Sequence, residues 1–292
     1  MHKAAGIEYT DDGMSEKNQM MRRRYIELNK LKSKAVIFSI LVYLVWEITG
    51  IAISFGIQIL IPGVYELSYG SYMVMFLNEM LTFGIIFLLF CRKQNYYHAE
   101  KQSLSFFVFL PVLIQIGSDV ATLVNGKIVL NLFSLDGVKF LCLCFIGTMS
   151  IALLEELVWR HIIFGNMIYQ WSGRKNGVLS AVVVSSLLFG LSHYMNAFTG
   201  GQEFAATSIQ VIQAACAGVF LAAVYYRTSN LLYPILVHGL CDFSNFFMNE
   251  MLGYDYELLK CDRMIRILFT VLYLFIGIYM MRSSNTSQKE EI

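Results

Sequence analysis

Apolar runs of about 20 residues recur along the chain, and they constrain its fold more than any other feature. A helix of roughly that length spans the hydrocarbon core of a bilayer. Eight such runs can be counted, at about residues 35–60, 71–91, 104–124, 138–169, 177–197, 205–226, 231–249 and 264–281. The sequence therefore predicts an all-α polytopic membrane protein with about eight transmembrane helices.

The composition agrees with this prediction. Of the 292 residues, 57% are hydrophobic and 15% are charged, whereas a soluble domain is usually about 25% charged. A transmembrane β-barrel would need alternating apolar and polar segments of about ten residues, which the sequence does not show. The net charge of +1 gives no reason to expect a nucleic-acid partner. The six cysteines show neither CxxC spacing nor a secreted framework, so we expect reduced thiols.

The basic residues indicate the topology. They follow the second, fourth, sixth and eighth runs, at Arg92, Lys93, Lys101, Arg174, Lys175, Arg227, Arg282 and Lys289. The loops at 61–70 and 197–204 contain neither Lys nor Arg, and the loop at 125–137 contains only Lys127. The loop at 250–263 is mixed, with Lys260 and Arg263 among four acids. By the positive-inside rule, both termini are predicted to be cytoplasmic. The short loops and the lack of a sorting signal favour a bacterial plasma membrane.

The chain is predicted to form one membrane domain with two tails. Residues 1–34 are polar and mixed in charge, without the short apolar core of a signal peptide. We expect them to be a cytoplasmic tail or a helix lying on the anionic leaflet. The membrane domain is expected at 35–282, with its functional core at about 138–250, followed by a cytoplasmic tail at 283–292.

Two adjacent acids lie within the fourth run. Ionisable side chains at bilayer depth cost about 2.5–3.5 kcal/mol each, so they are retained where they function or pair. On a helix, Glu156 and Arg160 share a face and form a favourable pair. Glu155 points about 100° away, which leaves its carboxylate free to accept or donate a proton. The alternative is an internal salt bridge with a spare glutamate facing water.

Two further apolar runs each carry a histidine with a neighbour four residues away. Phe189 precedes His193, and His238 precedes Asp242. A carboxylate beside a histidine can fix its tautomer and raise its basicity. Read alone, His193 is more typical of a packed core residue, and the His238–Asp242 pair could be a satisfied pair between helices.

Together and in this order, the three motifs resemble the CAAX protease and bacteriocin-processing family of intramembrane endopeptidases. This family includes type II CAAX prenyl endopeptidases and Abi-type proteins. The resemblance covers roughly residues 140–250. It implies that Glu155 and His193 activate the attacking water and that His238 and Asp242 stabilise the oxyanion. Supporting positions would be Glu156, Arg160 and Phe189.

One position departs from the family pattern, which often carries Asn where this chain has Asp242. An ionised aspartate only accepts hydrogen bonds and would repel an oxyanion. Either Asp242 is protonated, or it orients His238, which then supplies the donor alone. We favour orientation.

The resemblance leaves the metal requirement open. Glu155, His193 and His238 match the His₂Glu set of a catalytic zinc site. The sequence lacks His-Glu-x-x-His, which would place two ligands on one helix face. We expect no cofactor, with zinc as the alternative.

Helix length restricts this arrangement. At 1.5 Å per residue, His193 lies roughly 25 Å along its run from the loop at 174–176. Glu155 can meet it only if the fourth helix continues through Phe164 to about Tyr169 and is tilted or kinked. Three other acids within apolar runs, Glu47, Glu79 and Asp119, receive no role.

Two other function classes remain open. A proton-coupled transporter also uses buried acids and histidines, but it often shows internal repeats, and none is visible here. A non-catalytic immunity-type membrane protein could retain the site as a scaffold. The intact motifs favour an endopeptidase whose partners are membrane lipid and a peptide or protein substrate, either prenylated or bearing a leader.

Overall fold

The computed structural model describes residues 16–66, 70–91, 106–125, 134–171, 173–252 and 256–287. Within these ranges the chain forms helices and no strand. Two short 3₁₀ turns (Val64–Glu66 and Phe106–Phe109) and two π-helical segments (Phe87–Cys91 and Leu157–Phe164) accompany the α-helices. The α-helices are α1 (Glu16–Leu60), α2 (Gly70–Ile86), α3 (Leu110–Asn125), α4 (Leu135–Glu156), α5 (Gly165–Trp171), α6 (Gly177–Ser192), α7 (Met195–Phe198), α8 (Phe204–Thr228), α9 (Leu232–Leu252) and α10 (Tyr256–Ser287).

Five helical stretches are long and apolar enough to cross a membrane. They are Lys34–Leu60, Gly70–Cys91, Leu135–Trp171, Gly177–Phe198 and Phe204–Thr228. Two shorter apolar helices occur at Leu110–Ala121 and Ile267–Arg282. The prediction of an all-α integral membrane protein is therefore confirmed over the described residues. The count of eight spans and the cytoplasmic termini stay predictions.

Several predicted features lie outside the described residues. These are the tail segments 1–15 and 288–292, most of the loop that carries Arg92, Lys93 and Lys101, and the segment that carries Lys127. From Glu16 onward, the predicted N-terminal tail belongs to the same continuous helix as the first apolar run. The boundaries of the predicted domain and tails stay predictions.

The helices bury one large core and a small second cluster of Ile57, Val64 and Val74, and they present an apolar outer surface. Helix α4 packs against α2 and α9, while α8 packs against α6 and α10. On α1, the side chains of Ile48 and Phe55 are 65% and 64% exposed. Large apolar side chains on the outside are suited to contact with lipid rather than with water.

The fourth run forms a single helical stretch from Leu135 to Trp171. Its middle, Leu157–Phe164, is π-helical and begins directly after Glu156. A π-helical turn is wider than an α-helical turn, and such turns within α-helices are frequent at functional sites. The stretch extends past Tyr169, as the proposed approach of the Glu155 and His193 helices requires.

Small residues allow α6 and α8 to approach closely. A Cβ atom on Gly190 would lie 2.6 Å from the Val211 carbonyl oxygen and 2.8 Å from the Ala215 Cβ. Such close approach through glycine is typical of helix pairs in membranes. Because Gly190 directly follows Phe189 and lies one turn before His193, this contact fixes the end of α6 against α8.

We predict that Gly190→Ala destabilises the protein, because the new methyl group would force the two helices apart. The expected cost is about 1–3 kcal/mol, as for other overpacked positions. Thermal unfolding of the detergent-solubilised protein measures it. The control is Gly84→Ala, where an added Cβ meets no atom within 4 Å. Equal unfolding temperatures for the two variants would contradict the close approach.

Candidate active site

Three helices supply the predicted site residues. Glu155 and Glu156 end α4, Phe189 lies near the end of α6, and His193 is its C-cap residue. His238 and Asp242 lie one turn apart on α9. The structure brings these three elements together around the imidazole ring of His238.

The carboxylate of Glu156 bridges two helices. Its Oε2 accepts a hydrogen bond from Arg160 Nε at 2.9 Å, and both side chains are fully buried. Its Oε1 lies 2.9 Å from His238 Nδ1. Because an ionised carboxylate only accepts, Nδ1 is the donor in this bond. Glu156 therefore pairs with Arg160 as predicted and, in addition, fixes the orientation of the His238 ring.

The other ring nitrogen of His238 faces two acids. Nε2 lies 3.4 Å from Asp242 Oδ2 and 3.8 Å from Glu155 Oε2. The contact with Asp242 is the one that their spacing predicted. Within the described residues, Glu155 Oε2 is buried without a hydrogen-bond partner. This oxygen is therefore available to accept a proton or a hydrogen bond from a bound molecule.

His193 is held by its own helix. Its Nδ1 lies 3.0 Å from the carbonyl oxygen of Phe189. A carbonyl only accepts, so Nδ1 donates, and in the neutral ring Nε2 becomes the accepting nitrogen. Because Nδ1 is bonded to the backbone, the Nε2 atom of His193 can accept a hydrogen bond from a bound molecule.

The Phe189 ring packs among the charged groups. Its centroid lies 5.0 Å from that of His193 and 5.9 Å from that of His238. The guanidinium carbon of Arg160 lies 4.6 Å from the same ring centroid. A cation over an aromatic face is attracted by the ring quadrupole. Phe189 therefore spaces the two imidazoles and contacts the cation.

An aromatic layer connects this site to α1. The Trp159 ring lies 5.7 Å from Phe189 and 5.8 Å from Tyr43. The Tyr43 hydroxyl donates to the Ser192 carbonyl oxygen at 3.3 Å. The sequence does not single out Tyr43 or Trp159, because many aromatic side chains occur in its apolar runs.

The three acids left without a role have different surroundings. Asp119 accepts a hydrogen bond from Ser244, which joins α3 to α9. Glu47 lies beside the Tyr43 hydroxyl. Glu79 is close enough to interact electrostatically with both Glu47 and Glu155. Glu47 and Glu79 therefore lie near the site, whereas Asp119 joins two of the helices that surround the cavity.

A cavity of about 160 Å³ opens beside the histidines, between α3, α6, α8, α9 and α10. His193, His238 and Asp242 line it. Glu155 does not line this cavity. Its carboxylate lies behind His238, which does line it, at 3.8 Å from His238 Nε2. Further polar side chains line it, including four carboxamides (Gln115, Gln210, Gln213 and Asn245) and the hydroxyl groups of Thr270 and Tyr273.

The predicted zinc ligands do not converge as a set of three. Across the described residues, no group of three His, Cys, Asp or Glu side chains is arranged to hold a metal ion. Glu156 and the Phe189 carbonyl bind the Nδ1 atoms of the two histidines. These bonds leave the Nε2 atom of each histidine as the nitrogen that a metal ion would use, so the metal requirement stays a prediction.

The cysteines form no disulfide among the described residues Cys91, Cys142, Cys144, Cys216 and Cys241. The side chain of Cys261 lies outside the described part of the chain. Cys241 also lines the cavity, and its Sγ lies 2.9 Å from the Tyr273 hydroxyl oxygen.

Residues 137–244 match the family model described as type II CAAX prenyl endopeptidase Rce1-like. The matched segment contains all three motifs, from Glu155 to Asp242. This match confirms the resemblance to the CAAX protease family and supports a CAAX-type intramembrane peptidase in general. No curated protein and no solved structure shows significant similarity to the chain.

We predict that Arg160→Leu strongly destabilises the protein, because it leaves the Glu156 carboxylate buried without its cation. Breaking a buried ion pair from one side costs about 3–5 kcal/mol. Adding Glu156→Gln should recover part of this loss, since it removes the stranded charge. Thermal unfolding in detergent measures both variants.

The control for this prediction is Lys139→Leu. Lys139 lies 3.4 Å from Asp136 in an exposed ion pair, and such pairs contribute about 0–1 kcal/mol. If Arg160→Leu lowered the unfolding temperature no more than the control does, the buried ion pair would not stabilise the protein.

Proposed function

We propose that this protein is an intramembrane endopeptidase that hydrolyses a peptide bond of a membrane-associated substrate. The Rce1-like match of residues 137–244 supports a peptidase of the CAAX type. The observation that carries the proposal is the placement of His238. Glu156 holds its Nδ1, while its Nε2 faces Glu155 and Asp242 at the edge of a cavity.

Glu155 and His193 would activate the attacking water. The unpartnered buried oxygen of Glu155 supports its role as the proton acceptor. His193 donates through Nδ1 to its own backbone, so its Nε2 can accept a hydrogen bond from the same water. As the water oxygen attacks the carbonyl carbon, its proton passes to Glu155. The same proton then passes to the leaving amine as the C–N bond breaks, which yields a carboxylic acid and an amine.

His238 would stabilise the oxyanion. With Nδ1 donating to Glu156, a protonated ring presents Nε2–H as its second donor. A fixed donor aimed at a developing negative charge needs no reorganisation during the reaction. Asp242 contacts this same nitrogen at 3.4 Å and would hold the proton there until substrate binds.

The substrate would be either a prenylated protein or a peptide that carries a leader, approached from within the lipid. The apolar helices support a membrane location, and we propose that this membrane is the bacterial plasma membrane, where such a substrate would also lie. Hydrolysis would proceed without a metal ion, with zinc held by Glu155, His193 and His238 as the alternative.

We predict that Glu155→Gln abolishes cleavage, because the amide cannot accept the proton of the attacking water. The loss should be about 100-fold or more, as for other general bases. The purified protein in proteoliposomes is tested on farnesylated CAAX peptides and leader peptides. The control is Glu66→Gln, since Glu66 is exposed on a 3₁₀ turn. Equal rates for Glu155→Gln and wild type would overturn its role.

Metal dependence gives a separate prediction. Dialysis of the wild-type enzyme against a strong zinc chelator should leave the cleavage rate unchanged, because the acid and the imidazoles supply the proton transfers. Loss of activity in the chelator, followed by recovery on addition of zinc alone, would establish the zinc alternative instead.

A further inference from the structure

One wall of the cavity is a regular stripe on α8. Its cavity-lining residues are Gln210, Gln213, Ala214, Ala217, Phe220 and Leu221. Their spacing of three and four residues places them on one helix face. The stripe therefore begins with two carboxamides, continues with two small side chains and ends with two large apolar ones.

Three of the four carboxamides in the cavity already have partners. Asn196 donates to Gln210 at 3.2 Å, and Gln115 donates to Asn245 at 3.3 Å. The half-buried carboxamide of Gln213 makes no hydrogen bond within the described part of the chain. The Gln213 carboxamide lines the cavity and is therefore open to a bound molecule, to which it can both donate and accept hydrogen bonds.

We infer that Gln213 binds the main chain of the substrate and holds the scissile region beside His193 and His238. This inference rests on the proposed endopeptidase function and specifies how its substrate is held. A carboxamide carries both a donor and an acceptor, as a peptide group does, so the two can exchange a pair of hydrogen bonds. The short side chains of Ala214 and Ala217 leave room for a backbone next to it.

The same contact restricts the conformation of the substrate. In a helix, the main-chain N–H and C=O groups are already bonded to one another, and in lipid they stay so. Only an extended segment offers both groups to Gln213. The substrate is therefore a peptide that is extended around the scissile bond rather than a continuous transmembrane helix.

Gln213→Leu tests this inference on a peptide that wild type cleaves. We expect the KM to rise about five- to tenfold, as for the loss of one or two hydrogen bonds, with kcat little changed. N-methylation of the peptide amide that contacts Gln213 should raise the KM of the wild-type enzyme by a similar factor. In Gln213→Leu the same methylation should raise the KM little further, because the hydrogen bond is already lost. The control is Gln170→Leu, because Gln170 bonds Asn166 away from the cavity.

Two results in this assay would overturn the inference. One is an unchanged KM in Gln213→Leu. The other is an N-methylated peptide that raises the KM by the same factor in the wild type and in Gln213→Leu.

A binding assay separates this inference from the proposed function. The thiol of Cys241 lines the same cavity, so a chain that keeps Cys241 alone can report occupancy through its rate of maleimide labelling. We expect the farnesylated and leader peptides to slow labelling, and Gln213→Leu to weaken that protection. If the peptides protect Cys241 from labelling but are not cleaved, only the proposed endopeptidase function is overturned. Absent protection, or protection equal in both chains, would overturn the role of Gln213.

Discussion

The carboxylate of Glu156 is the interaction on which the site depends. One oxygen holds Arg160 within its own helical stretch, and the other holds His238 on α9. A buried charge is tolerated only when it is paired and hydrogen-bonded. Because both conditions are met at one group, the local charge balance and the orientation of the His238 ring cannot be changed independently.

The surrounding packing positions the other candidate site residues around this ring. The π-helical segment begins directly after the two glutamates and carries Arg160, and its residues are largely buried. Gly190 lets α6 approach α8, and Phe189 separates the two imidazoles. Bonds from α3 to α9, such as that of Asp119 with Ser244, hold the second side of the cavity. The site is thus positioned by rigid elements, which precise chemistry requires.

Contacts within a single helix could be predicted from the sequence, whereas contacts between two helices could not. The contacts between Glu156 and Arg160 and between His238 and Asp242 follow from a spacing of four residues. The bond from Glu156 to His238 does not, because periodicity shows which residues share a face but not which faces meet. Gln213 was missed for the same reason, since its importance lies in the cavity that five helices enclose. The all-α fold was predictable because hydropathy alone requires it.

The most direct test of this account is the activity of Glu156→Gln in proteoliposomes, measured together with its unfolding temperature. The substitution keeps the shape of the side chain but removes the charge that orients His238. We expect a variant that folds but unfolds at a lower temperature, because Arg160 is left buried without its counterion. Below that temperature, its kcat should fall about 10- to 100-fold, as when other groups that orient a reactive histidine are removed. A folded variant with wild-type kcat would contradict the account, because His238 would then not need Glu156 to reach its catalytic orientation.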